Sequence, residues 1–137
     1  MIEQDLLRKK LNFLIDYIKD LRERKKVALE KYQKDKSHQR IIERTLHLAI
    51  ERCLDIGNHI ISSEAYREPN DNRDIFMVLY ENKIVPGDLL SRLQEMAGFR
   101  NLLVHDYTEI DPKRVYENWQ NGLKDLEAFG KIIAELL

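Results

Sequence analysis

Apolar positions recur along this chain at steps of three and four, the spacing that gathers side chains on one face of an α-helix. The first run is Leu7, Leu11, Leu14, Ile18 and Leu21. Leu6, Phe13 and Tyr17 widen it beyond the narrow seam of a coiled coil. It predicts a helix over about residues 3–33. Past Leu21, through Arg22-Glu23-Arg24-Lys25-Lys26, the stripe fades, and the basic 22–36 stretch is expected to continue as an exposed helical arm. Ser37 is a candidate N-cap for a second helix ending near Ser62, with Ile42, Leu46, Ala49, Cys53, Ile56 and Ile60 on its stripe. Gly57 lies inside that run and costs about 1 kcal/mol of helix propensity relative to alanine. A close helix crossing or a nearby ligand would justify that cost; a tolerated core glycine is the simpler expectation.

The pattern breaks at Glu68-Pro69-Asn70-Asp71-Asn72-Arg73 and resumes in a short helix through Ile75, Phe76, Val78, Leu79 and Tyr80. After a turn at Lys83-Ile84-Val85-Pro86-Gly87, Asp88 is expected to cap a third long helix. Leu89, Leu93, Met96 and Leu103 form its stripe, with Leu90, Ala97 and Val104 beside them, and it should end around His105–Tyr107. Asp111-Pro112 reads as an N-cap followed by proline at the first helical position, where the missing N–H does no harm. The last helix then runs to about Glu135 on Val115, Trp119, Leu123, Leu126, Phe129 and Ile133. Strand-type alternation is missing. The expected fold is all-α: an up-and-down four-helix bundle with one extra short helix, in a single domain over residues 1–137.

Composition supports long helices, with 5 glycines and 3 prolines in 137 residues. The charge balance of 23 basic to 24 acidic residues argues against a protein that coats nucleic acid through bulk positive charge. It leaves room for one local cationic site. Residues 1–35 carry 10 Lys/Arg and 7 Asp/Glu, and residues 88–137 carry 6 and 9. Such an asymmetry would let copies or partners steer one another, although solvated helix faces account for it as well. Cys53 is the single cysteine, so no intramolecular disulfide or thiol cluster for zinc is expected. The acidic start Met1-Ile2-Glu3-Gln4-Asp5 is unlike a signal peptide, and no apolar stretch approaches membrane-span length. A cytoplasmic location is the default expectation.

The segment Arg100-Asn101-Leu102-Leu103-Val104-His105-Asp106-Tyr107 carries the candidate chemistry. Arginine clamps phosphate oxygens through charge-assisted bonds. Histidine, with an ordinary pKa of about 6.5, moves protons at neutral pH. Asn101 can orient the ring or donate to a phosphate, and Tyr107 can stack, donate or be modified. At 100° per residue, however, Arg100 and His105 lie about 140° apart around one helix, whereas Asn101 and His105 share a face. Convergence needs either a change in the last turn or a second subunit, and Gly98 would permit a close backbone approach. A helix-end capping pair is the plainer reading of the same two residues. His38, His47 and His59 lack metal-ligand spacing, and His47 suits a half-buried place beside the core. Asn58 and His59, with Asp55 one turn earlier, support the main site only as secondary candidates. No phosphate-binding or dinucleotide glycine loop is present.

Gly98-Phe99-Arg100-Asn101-Leu102-Leu103-Val104-His105-Asp106-Tyr107 resembles the signature of HEPN proteins, in the branch of HepT-like ribonuclease toxins of type VII toxin–antitoxin systems. Asp55-Ile56-Gly57-Asn58-His59-Ile60-Ile61, the Tyr66 to Phe76 linker with its short helix, and the Asp111-Pro112 helix start are also similar, so the likeness covers nearly the whole chain. The resemblance implies a homodimer whose two Arg100/His105 motifs meet in a composite site. It implies metal-independent cleavage of RNA without a cofactor. It also implies a minimal nucleotidyltransferase (MNT) antitoxin that transfers AMP to Tyr107. In such a scheme one His105 accepts the 2′-hydroxyl proton, the other protonates the leaving 5′-oxygen, and Arg100 stabilises the charged phosphorane. The rival is a non-catalytic helical scaffold or nucleotide-binding subunit of a nucleotidyltransferase complex.

Overall fold

In the computed structural model, which describes residues 3–105 and 110–137 and only the backbone of His105, the periodic stripes become four long helices. These are α1 (Gln4–Glu23), α3 (Lys36–Ser63), α5 (Gly87–His105) and α6 (Pro112–Glu135). Two short helices, α2 (Leu29–Lys34) and α4 (Asn72–Glu81), complete the described elements. Helix α1 packs on α3 and α6, and α5 closes the bundle against the same two helices. The up-and-down four-helix bundle is therefore as expected, with one more short helix than the pattern predicted.

That additional helix corrects the expected exposed arm. The first helix ends at Glu23, and the chain turns back so that α2 rests on α6 and α3 with Tyr32 fully buried. The physical reason lies on α6. Carbonyls at and beyond a helix C-terminus lack intrahelical partners. Here Trp119 Nε1 donates to the Leu21 carbonyl at 3.1 Å, Gln120 Nε2 to Lys25 at 3.0 Å, and the Tyr116 hydroxyl to Val27 at 2.7 Å. Tyr32 packs edge-on against Trp119 with ring centroids 5.8 Å apart. Burial, reinforced by the nearby Glu43 carboxylate, pushes the Tyr32 hydroxyl pKa upward.

Other boundaries shift for local reasons. Asp35, not Ser37, caps α3, its carboxylate accepting from the His38 N–H at 3.0 Å. Asp88 lies within the first turn of α5 instead of capping it, where its negative charge still complements the helix dipole. Asp111 does cap α6 by accepting from the Lys113 N–H, with Pro112 at the helix start as expected. Gly57 is not merely tolerated: a β-carbon there would lie 2.6 Å from Ile75 Cγ2 and 3.4 Å from Leu79 Cδ1. The glycine thus admits α4 against α3.

Helix α4 is fixed at both ends. Asp71 caps it by accepting from the Asp74 N–H at 2.8 Å. Arg67, in the preceding linker, pairs with both oxygens of Asp74 at 2.7 and 2.8 Å and with Glu81 at 2.7 Å. Arg67, the larger cause, and the Asn70 N–H hold the Asp74 carboxyl down to about 2.

Candidate functional site

Helix α5 carries the motif, and its rotation decides where each residue points. Leu89, Leu93 and Ala97 are buried and define the core-facing side. Arg100 lies seven residues beyond Leu93, only about 20° from it around the helix. The arginine therefore emerges at the edge of the core, where its side chain is 20% exposed. A cation in that position needs a partner.

Glu51 of α3 supplies it. One carboxylate oxygen, Glu51 Oε1, accepts from both Nε and Nη2 of Arg100. The same oxygen lies 3.6 Å from His47 Nε2, one turn earlier on α3. Arg44 Nη1 in turn stands 3.4 Å from His47 Nδ1. The half-buried His47 expected beside the core is thus also part of a polar chain running from α3 to the motif arginine.

Asn101, the next motif residue, is exposed, and the backbone of position 105 closes α5. The His105 side chain and Tyr107 lie outside the described residues, as do the Asp106 and Glu109 carboxylates. Asn58 is exposed on α3. His59 has a buried Nε2 without a hydrogen-bond partner among the described residues. Among the described residues no hydrogen bond joins Asn58 or His59 to Arg100 or Asn101. Asp55 is taken by Lys10 at 2.8 Å and Arg52 at 3.1 Å instead of His59.

A separate cleft of about 370 Å³ opens between α3, α5 and α6, lined in part by Leu46, Phe99, Asn121, Gly122 and Asp125. The buried Asp125 is paired there with Arg92 at 2.8 Å. Neither Arg100 nor Asn101 lines this cleft. The arginine centre thus lies outside this cleft, at the α3–α5 edge.

Sequence reasoning missed Glu51. The available signal was indirect: Arg100 falls on the Leu89–Leu93–Met96 stripe at heptad spacing, so an acid from another helix had to meet it. Which acid depended on how α3 and α5 pack.

The model of the Ribonuclease HepT-like family matches residues 14–133. The chain belongs to that family. HepT-like relatives resemble it over most of its length. An mRNA nuclease HepT of Shewanella oneidensis is 36% identical over 88 residues, 64% of this chain and 66% of the relative. A tRNA nuclease HepT of Aphanizomenon flos-aquae is 30% identical over 115 residues, 84% of this chain and 78% of the relative. Among solved HepT-like structures, a tri-AMPylated Shewanella oneidensis HEPN toxin in complex with its MNT antitoxin superimposes with a TM-score of 0.85 at 29% identity, covering 96% of this chain and 98% of that one. In this HepT-like chain, no described helix is long and apolar enough to cross a membrane.

Proposed function

We propose that this chain is a metal-independent endoribonuclease toxin that cleaves RNA at a composite site between two copies. The observation that carries the reading is the placement of Arg100. Glu51 holds it at the core-facing edge of α5, while the motif spacing sets position 105 about 140° away on the same helix. One regular helix does not aim both at a single phosphate. Two copies related by a two-fold axis bring two arginines and two histidines together.

The chemistry follows from those groups. The substrate's 2′-hydroxyl is the nucleophile, which restricts the reaction to RNA. As its oxygen attacks the adjacent phosphorus, one His105 takes the proton. The P–O bond to the 5′-oxygen breaks, and the second His105 returns a proton to that oxygen. Arg100 stabilises the extra negative charge on the phosphoryl oxygens. The products are a 2′,3′-cyclic phosphate and a 5′-hydroxyl end. Cleavage should persist in EDTA, vanish in His105→Ala and Arg100→Ala, and come from a species of twice the chain mass. Loss of activity on metal removal, or full activity in His105→Ala, would sink the scheme.

The off-switch in this reading is AMP transfer to Tyr107 by a minimal nucleotidyltransferase partner. The likeness to a toxin whose solved structure is AMPylated and antitoxin-bound supports it. An attached AMP adds bulk and a negative phosphate next to the motif and competes with RNA for the arginine. Incubation with the partner and ATP should add AMP mass at Tyr107. An unchanged mass, or an adduct elsewhere, counts against it.

A further inference from the structure

Helix α5 has a second row of positions, away from its core-facing side: Gln94, Gly98, Asn101 and 105, at steps of four, three and four. They lie within about 60° of one another and on the side opposite Arg100. The first turn of α4 is fastened to the upper part of this row. Gln94 Nε2 donates to the Arg73 carbonyl at 3.3 Å. The Arg73 guanidinium crosses directly over Gly98, where a β-carbon would lie 2.9 Å from Arg73 Cζ and 3.4 Å from Nε. Glycine alone leaves room for it.

Arg73 is exposed. Among the described residues its guanidinium has no carboxylate partner, in contrast to Arg67, Arg92 and Arg100. It lies against the Gly98 backbone, with no counter-charge among the described residues. Among the described residues nothing takes up its guanidinium donors, and the planar fork of a guanidinium matches phosphate oxygens.

We propose that Arg73, seated on Gly98, binds a backbone phosphate of the RNA next to the one being cleaved. The proposal rests on the ribonuclease reading above. Seven residues separate Gly98 from position 105, about 10 Å of helix rise, so Arg73 serves a neighbouring phosphate and not the scissile one. A contact of this kind positions the strand without reading its sequence. The surface from Arg73 past the exposed Asn101 toward position 105 is then the track along which RNA enters the composite site.

The test uses the full chain with His105→Ala to prevent cleavage, and a short fluorescein-labelled single-stranded RNA of mixed sequence as probe. Arg73→Gln should weaken binding about tenfold, for different sequences alike. It should also flatten the log–log salt dependence by about 0.7 for each phosphate that is no longer neutralised. Arg73→Lys should keep the salt slope and lose part of the affinity. With His105 intact, Arg73→Gln should raise KM and leave kcat nearly unchanged. Gly98→Ala should reproduce Arg73→Gln, because the added methyl displaces the flexible guanidinium, and the double variant should bind no worse than either single one. Thermal melts by circular dichroism establish that each variant is folded.

Unchanged affinity and salt slope in folded Arg73→Gln would overturn the proposal while leaving the ribonuclease reading intact. So would a Gly98→Ala defect that adds to that of Arg73→Gln. Intact RNA binding with blocked AMP transfer to Tyr107 would assign the anion to the nucleotide instead, and also overturn it. Failure of the wild-type chain both to bind and to cleave RNA would remove the ribonuclease reading and this proposal together.

Discussion

Glu51 on α3 grips the guanidinium of Arg100 on α5 through one carboxylate oxygen, so the motif arginine is aimed from a neighbouring helix and not by its own. Positioning at that level matters because a displacement of about 1 Å costs about 10²-fold in rate. Glu51→Ala should therefore lower kcat for RNA cleavage by about two orders of magnitude in protein that circular dichroism shows to be folded. Glu51→Gln, which keeps an oxygen acceptor, should fall between. Activity equal to or above wild type in Glu51→Ala would show that the carboxylate restrains the arginine instead of positioning it.

Trp119 is fully buried and ties the end of α1 to α6 through the Leu21 carbonyl. Trp119→Phe leaves that carbonyl without its donor and opens space in the aromatic cluster. The cost should be about 3 kcal/mol, read as a lower urea midpoint with an unchanged slope. A loss below about 1 kcal/mol would mean that the α1 end is satisfied in another way.

Gly57 of α3 lies directly against Ile75 and Leu79 of α4. Alanine gains about 1 kcal/mol of helix propensity, but its methyl group meets Ile75 Cγ2 at 2.6 Å. Overpacking of this kind costs about 1–3 kcal/mol, so Gly57→Ala should lower the melting temperature. Ile75→Ala should cost less in that variant than in the wild type, since the added methyl fills part of the space vacated. Additive effects would place the strain elsewhere.

Asp74 titrates at about 2 because Arg67, first, and the Asn70 N–H, second, favour its charged form. A depressed carboxyl contributes stability that is present above its ordinary value of 3.8 and is lost as pH falls from there through about 2. In Arg67→Ala the Asp74 midpoint should rise most of the way toward the ordinary value, with the Asn70 contact retaining the remainder. Carboxyl carbon chemical shifts followed against pH measure this directly. A midpoint that stays near 2 would assign the depression to the backbone and not to Arg67.

Much of this protein was legible in one dimension. The stripes of α1, α3 and α6 appear as buried faces in the fold, because a helix shows its neighbours whichever side its three-and-four spacing makes apolar. The exceptions are Leu6 and Phe13, expected to widen the α1 stripe, which are exposed. Asp111-Pro112 announced a helix start through the chemistry of one N–H group. The angular offset between Arg100 and position 105 followed from helix geometry alone, and the motif named its own candidate residues.

What remained was decided by contacts between elements distant in the chain. The end of α1 at Glu23 depends on donors almost a hundred residues away on α6, which no local pattern around Leu21 contains. Glu51 meets Arg100, Ile75 meets Gly57 and Arg73 meets Gly98 only because α3, α4 and α5 pack at particular rotations and separations. Periodicity determines which face of a helix is buried. The close packing of side chains from several helices determines which residue stands opposite which, and that pairing set the surroundings of the arginine centre.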